Sequence, residues 1–159
     1  MTMTKLSLLQ RLDALARPCV DLLNSLQSVA ALLARLYVAQ VFFLSGLTKI
    51  RDWDTTLALF MDEYKVPLLP PALAAVMGTA GELVLPVLLV LGLGSRFAAL
   101  GLSVVNAVAV VSLTEIAPAA LQQHVFWGSL LVGIVVFGPG RVALDHWLQA
   151  YTRHSNAHG

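Results

Sequence analysis

Apolar residues in this chain come in four long runs, and the polar residues gather between them. The runs lie near 29–48, 72–93, 97–115 and 119–137. A helix rises about 1.5 Å per residue and the hydrocarbon layer of a membrane is about 30 Å thick, so roughly 20 residues cross it. Each run therefore predicts one spanning helix. The punctuation agrees. Pro67, Pro70 and Pro71 precede the second run, and Pro118 opens the fourth, where a missing N–H costs nothing. Gly94-Ser95 divides the second run from the third. Gly94 is suited to close one helix in a left-handed conformation, and Ser95 to cap the next. So tight a turn makes the second and third helices antiparallel neighbours. Gly138-Pro139-Gly140 stops the fourth.

Three flanking segments carry a different pattern. Leu8, Leu12, Leu15 and Cys19 fall at helical spacing, as do Trp53, Leu57, Phe60 and Tyr64, and more weakly Val142, Trp147 and Tyr151. Helices with Trp and Tyr on an apolar side suit the headgroup layer. The expected fold is all-α: an integral membrane four-helix transmembrane bundle with interfacial amphipathic helices. Residues 1–28 form an N-terminal interfacial helix, 29–138 the four-span domain, and 139–159 a C-terminal amphipathic tail.

Composition narrows the class. Of the 159 residues, 58% are hydrophobic and only 12% charged, with a mean hydropathy of +0.79. Soluble domains carry about 25% charged residues, so the lipid bilayer is the first partner implied. A net charge of +1 supplies no basic patch for phosphate neutralisation, which excludes nucleic acid. The single cysteine, Cys19, rules out an internal disulfide, a CxxC pair or a thiolate metal site, and no metal cluster stands out. Lys5, Arg11, Asp13 and Arg17 interrupt the first apolar residues before a signal-peptide core can form, so uncleaved insertion is expected. Four spans put both termini on one side, with Lys5, Arg11, Arg17, Arg96, Arg141 and Arg153. The opposite loops dilute Lys49, Arg51 and Lys65 with Asp52, Asp54, Asp62 and Glu63. The positive-inside rule then predicts cytoplasmic termini.

The candidate chemistry lies inside the spans. Glu82 is a lone acid near the middle of the second. Asn106, Gln40 and Ser129 fall near the middles of the third, first and fourth. Polar groups at that depth are costly against lipid, so a small midplane chamber is expected, with Tyr37 one turn from Gln40 also lining it. Pro86 leaves the carbonyl of Glu82 without its helical donor. Arg35 either reaches Glu82 or snorkels to the cytoplasmic interface. In the first case both are charged, and in the second burial favours a neutral Glu82. Lys49, Glu115 and His124 end or begin spans on the far side and are expected to form a polar mouth. Glu82 is the candidate catalytic group, and Arg35, Tyr37, Gln40, Lys49, Asn106, Glu115 and His124 are the candidate ligand-binding residues.

Several stretches carry a family resemblance. "LARLYVAQVFFLSGLTKI", with Arg35, Gly46 and Lys49, resembles the first span of the DoxX family. "FMDEYKVP" resembles the stretch before that family's second span, "GELVLPVLLVLGLGSRFAAL" its second-to-third span signature, and "GPGRVALD" its C-terminal ending. The resemblance runs from about Ala30 to Trp147. It implies a multi-pass protein of the bacterial inner membrane. Some relatives are subunits of a thiosulfate:quinone oxidoreductase, and others are linked with membrane complexes handling sulfur or oxidative stress. Arg35, Lys49 and Glu82 are the matched polar positions, with Arg96 at the tight turn. Cys19 lies outside the match and cannot run a dithiol relay alone.

These readings together predict a quinone-linked membrane oxidoreductase subunit. Quinone is the cofactor, and a soluble or membrane redox partner protein delivers the electrons. The alternative is a non-catalytic scaffold for a partner redox complex, and a weaker third is a small proton or solute carrier, which requires a homo-oligomer.

Overall fold

A computed structural model describes residues 3–145 and is entirely helical in its regular elements. The helices are α1 (Met3–Arg51), α2 (Trp53–Asp62), α3 (Pro71–Leu91), α4 (Ser95–Ser112) and α5 (Pro118–Phe137). Four of them, all but α2, are long and apolar enough to cross a membrane. Trp147, Tyr151 and the tail histidines His146, His154 and His158 lie outside the described residues.

The boundary expected near residue 28 is not a break. Helix α1 runs through it for 49 residues, about 74 Å. The only helix breaker within it is Pro18, and no glycine precedes Gly46. Helices α3, α4 and α5 have 21, 18 and 20 residues, each about one membrane thickness. The N-terminal half of α1 therefore projects beyond the bundle.

In the bundle, α1 packs chiefly on α3, α3 on α4 and α4 on α5. The core joins Val38, Ala39 and Phe42 of α1 to Leu89 of α3, Ala98, Ala99 and Leu102 of α4, and Leu131 and Ile134 of α5. Small residues at these contacts let backbones approach, as membrane helices require. Edge-to-face pairs close the ring between α1 and α5: Tyr37 with Phe126 at 5.9 Å and Phe42 with Trp127 at 6.0 Å. Outward residues such as Leu33, Val84, Val104 and Val132 are more than half exposed, which suits a surface solvated by lipid.

The short helix α2 folds back over the start of α3. Asp52 caps it by accepting from the Thr55 N–H, and Phe60 is buried against Ala74 and Ala75. Past α2, Tyr64 bridges to Leu113, and the Lys65 N–H donates to the Ser112 carbonyl at 2.9 Å. The apolar face formed by Leu57, Phe60 and Tyr64 thus covers protein at this end of the bundle.

The turn between α3 and α4 differs from the expected one. Gly92, at φ 73°, closes α3, and Gly94, at φ 55°, precedes α4. Both positions are left-handed, where glycine alone is unstrained. Ser95 does not cap α4 with its own hydroxyl; a residue fifty positions away does so instead.

Candidate functional site

Two polar groups that the sequence placed apart meet inside the bundle. The Lys49 ammonium donates to the Glu82 carboxylate at 2.5 Å and to the Ser45 hydroxyl at 3.0 Å. The two side chains are only 20% and 10% exposed. Gly46 makes the contact possible. A Cβ there would stand 2.9 Å from the Leu83 side chain and 3.1 Å from the Glu82 Cβ, so α1 and α3 touch almost backbone to backbone. Helix α2 roofs the pair, with the Thr56 hydroxyl donating to the Lys49 carbonyl at 3.0 Å.

Two further groups border this ion pair. The Tyr64 phenol is half-buried, and burial first, then the charges of Glu82 and Glu63, push its ionisation above the ordinary tyrosine range. It remains a neutral hydroxyl at physiological pH. Thr79 lies one turn before Glu82 on the same face of α3. Its hydroxyl is buried and has no partner among the described residues. Thr48, Ser103, Ser112 and Ser129 each donate to the carbonyl four residues back. Thr79 does not. A buried hydroxyl normally has a partner, so the free one beside an acid–base pair marks this spot as chemically unfinished.

The expected midplane chamber does not form. Asn106 pairs with the start of α5 instead: its amide donates to the His124 carbonyl at 2.9 Å and its oxygen receives His124 Nδ1–H at 2.8 Å. The amide oxygen can only accept, so Nδ1 carries the proton. Gly128 allows this approach, since a Cβ there would lie 3.3 Å from the Asn106 amide nitrogen. Gln40 is exposed on the outer surface, and Ser129 is exposed in an open cleft lined by α1, α4 and α5, where it satisfies itself on the Val125 carbonyl. Tyr37 is 45% exposed and receives the Trp127 N–H in a long contact of 3.5 Å. The polar mouth fails as well. Lys49 turns to Glu82, His124 turns to Asn106, and Glu115 is exposed with no polar partner among the described residues.

Arg35 takes neither of its two expected positions. It is buried, and its guanidinium holds four backbone carbonyls: Leu89 at 2.8 Å, Val90 at 2.7 Å, Pro139 at 3.0 Å and Val142 at 2.9 Å. The first two lie at the C-terminal end of α3, where a cation also complements the helix dipole, and the Leu89 carbonyl accepts from the Gly92 N–H as well, at 3.2 Å.

Asp145, which the sequence reading passed over, completes this corner. Its carboxylate accepts from the Gly94 N–H at 2.8 Å, the Ser95 N–H at 2.8 Å and the Ser95 hydroxyl at 2.9 Å. It thus caps the N-terminus of α4 from beyond α5, where the N-cap residue itself is Gly94. Its burial opposes ionisation, but these bonds and the nearby Arg35 charge prevail and hold the carboxyl below the usual aspartate range. Because the folded value is depressed, this stabilisation is complete above the unfolded value of about 3.9 and fades as pH falls below it. Asp145→Asn is therefore expected to flatten the acid limb of a stability–pH curve measured in micelles, and Asp145→Ala to cost about 1–2 kcal/mol at neutral pH. An unchanged acid limb in the asparagine variant would refute the capping role.

Among the described residues, no group of three His, Cys, Asp or Glu side chains is placed to hold a metal ion. The four apolar helices and the ion pair buried between two of them define a multi-pass membrane protein with an internal acid–base contact. The DoxX family model matches residues 30–115, and the chain belongs to the DoxX family. The match contains Arg35, Lys49, Glu82 and Asn106, and it ends before α5 and the Asp145 cap. No curated protein and no solved structure matches the chain.

Proposed function

We propose that this DoxX-family protein is the membrane-embedded subunit of a quinone-linked redox system. The observation that carries the reading is the buried Lys49–Glu82 pair with the unpartnered Thr79 hydroxyl and the Tyr64 phenol beside it. Quinone reduction consumes protons, and quinol oxidation releases them. A carboxylate and an ammonium in contact suit that exchange, since either can hold the proton the other gives up. The Tyr64 and Thr79 hydroxyls and the Lys49 ammonium are donors suited to quinone oxygens. The quinone, when bound, supplies the electron chemistry, and a partner protein delivers the electrons. Glu82 is the proposed catalytic group, and Lys49 its positioning partner.

The same proposal places the chain in the bacterial inner membrane with cytoplasmic termini. Lys49 is drawn into the bundle, so the α2 side keeps only Arg51 and Lys65 as loop cations against Asp52, Asp54, Asp62, Glu63 and Glu115. The charge bias behind the orientation becomes stronger.

A second reading, a scaffold for a partner redox complex, is favoured by Arg35 and Asn106, whose polar atoms serve only to join helices. Mass spectrometry of lipid extracts separates the two. The wild-type protein, purified gently, is expected to retain quinone, and a folded Glu82→Gln variant about tenfold less. Equal or absent quinone in both samples moves the assignment to the scaffold.

A further inference from the structure

The projecting part of α1 repeats its apolar residues at alternating steps of four and three. Leu12, Cys19, Leu26 and Leu33 take the first core position of successive heptads. Leu15, Leu22, Val29 and Leu36 take the second. Of the polar residues here, Asp13, Arg17, Asp21, Asn24, Gln27 and Ser28 fall on the positions opposite this seam, and Ser25 flanks it. A period of 3.5 kept over three to four heptads is the mark of a helix wound on another helix. This seam spans four.

Among the described residues, nothing covers it. Residues 12–27 are all exposed. The seam continues into the bundle on the side away from Arg35, Val38 and Phe42, which face the core, and Leu33 and Leu36 remain 60% and 41% exposed. The next core position is Gln40, which is exposed and has no hydrogen-bond partner among the described residues. It lies in the spanning part of α1, where an amide facing lipid is costly. Gln40 also borders an apolar groove of about 290 Å³ between α1 and α3, with Leu36, Phe43 and Pro86 in its walls.

We infer that α1 pairs with α1 of a second copy, in a parallel, in-register coiled coil from Leu12 to Gln40. The membrane fixes the direction, because two copies inserted alike can only lie parallel. The groove between α1 and α3 then receives a side chain of the partner's seam, and the two Gln40 amides bond to each other. A polar residue at one core position fixes register in this way. Charge disfavours the headgroup plane as the occupant. From Met3 to Ser28 there are only three bases, Lys5, Arg11 and Arg17, against Asp13 and Asp21, and Arg17 is already paired with Asp13 at 2.7 Å. Helices that lie on anionic lipid are rich in Lys and Arg. Within a symmetric pair, the charges stand on the outer faces and identical charges do not meet.

Cys19 sits on the seam and reports on it. Membranes holding the full chain are oxidised with copper phenanthroline and run without reductant. Wild type is expected to give a disulfide-linked dimer. In a Cys19→Ser background, Leu22→Cys and Leu26→Cys are expected to cross-link, and Asn24→Cys, on the opposite face, is not. Cross-linking of Asn24→Cys as strong as that of Leu22→Cys, or none at any seam position, overturns the pairing. Gln40→Leu should weaken dimerisation about threefold, the equivalent of one interhelical hydrogen bond, with Gln40→Asn retaining most of it. An unchanged dimer fraction in Gln40→Leu removes the amide from the interface.

Discussion

Lys49→Met is expected to destabilise the folded protein by about 3–5 kcal/mol, because it leaves the Glu82 carboxyl buried in the bundle without its partner. Glu82→Gln should cost less. The surviving ammonium still donates to Ser45 and sits in the last turn of α1, where the helix dipole favours a cation. The double change Lys49→Met, Glu82→Leu should recover most of the loss, since removing both charges also removes their desolvation cost. Denaturation by SDS from mixed micelles, run as a double-mutant cycle, measures this. A coupling energy near zero would mean that the pair does not hold α1 to α3.

The second large effect is at Arg35. Arg35→Leu is expected to cost about 4 kcal/mol, taking the guanidinium from the carbonyls of Leu89, Val90, Pro139 and Val142, of which Leu89 keeps the Gly92 N–H. Hydrogen bonds from charged groups contribute roughly 1.5–3 kcal/mol each. The sum is not realised, because the buried charge and its desolvation cost vanish with the side chain. Arg35→Lys should recover only part, since a compact ammonium has three donors and no planar fork. The local signature is specific. Hydrogen exchange at the N–H groups of Gly94, Ser95 and Asp145 should rise together in Arg35→Leu, because the segment holding Asp145 loses its anchor to α1. Exchange unchanged at all three would separate the arginine from the α4 cap.

The spans were legible in the sequence because apolar length and proline position are local properties: Pro118 and Gly138 bound α5 where they were expected to. The depths of Gln40, Asn106 and Ser129 were legible too, but their directions were not. Each residue turns the helix face by about 100°, and spans apolar on nearly every side give no moment to fix which face is inward. Thus Asn106 points in, Gln40 points out, and Ser129 faces an open cleft beside α1. Lys49 was read as a loop-end cation because nothing local shows that Gly46 brings α3 within reach. The acceptors of Arg35 are backbone carbonyls, which carry no sequence signature. The Asp145 cap was hidden for a related reason. A capping residue is sought next to its helix, and this one comes from fifty residues further on. The helical spacing of Leu12, Leu15 and Cys19 was legible, but only the continuity of the helix past residue 28 separates a projecting helix from a segment lying flat.

The corner that Arg35 and Asp145 close also sets an order in time. The chain emerges from its N-terminus, so Arg35 enters the membrane 107 residues before Val142, the last of its four acceptors. Synthesis at about 5–20 residues per second separates the two by on the order of 5–20 s. The Leu89 and Val90 carbonyls arrive first, and the α4 end gains its cap only when the chain beyond α5 has been made. Insertion of this protein is thus a latch that shuts from its last-made segment. A nascent chain halted before residue 139 holds all four spans but lacks the piece that locks them.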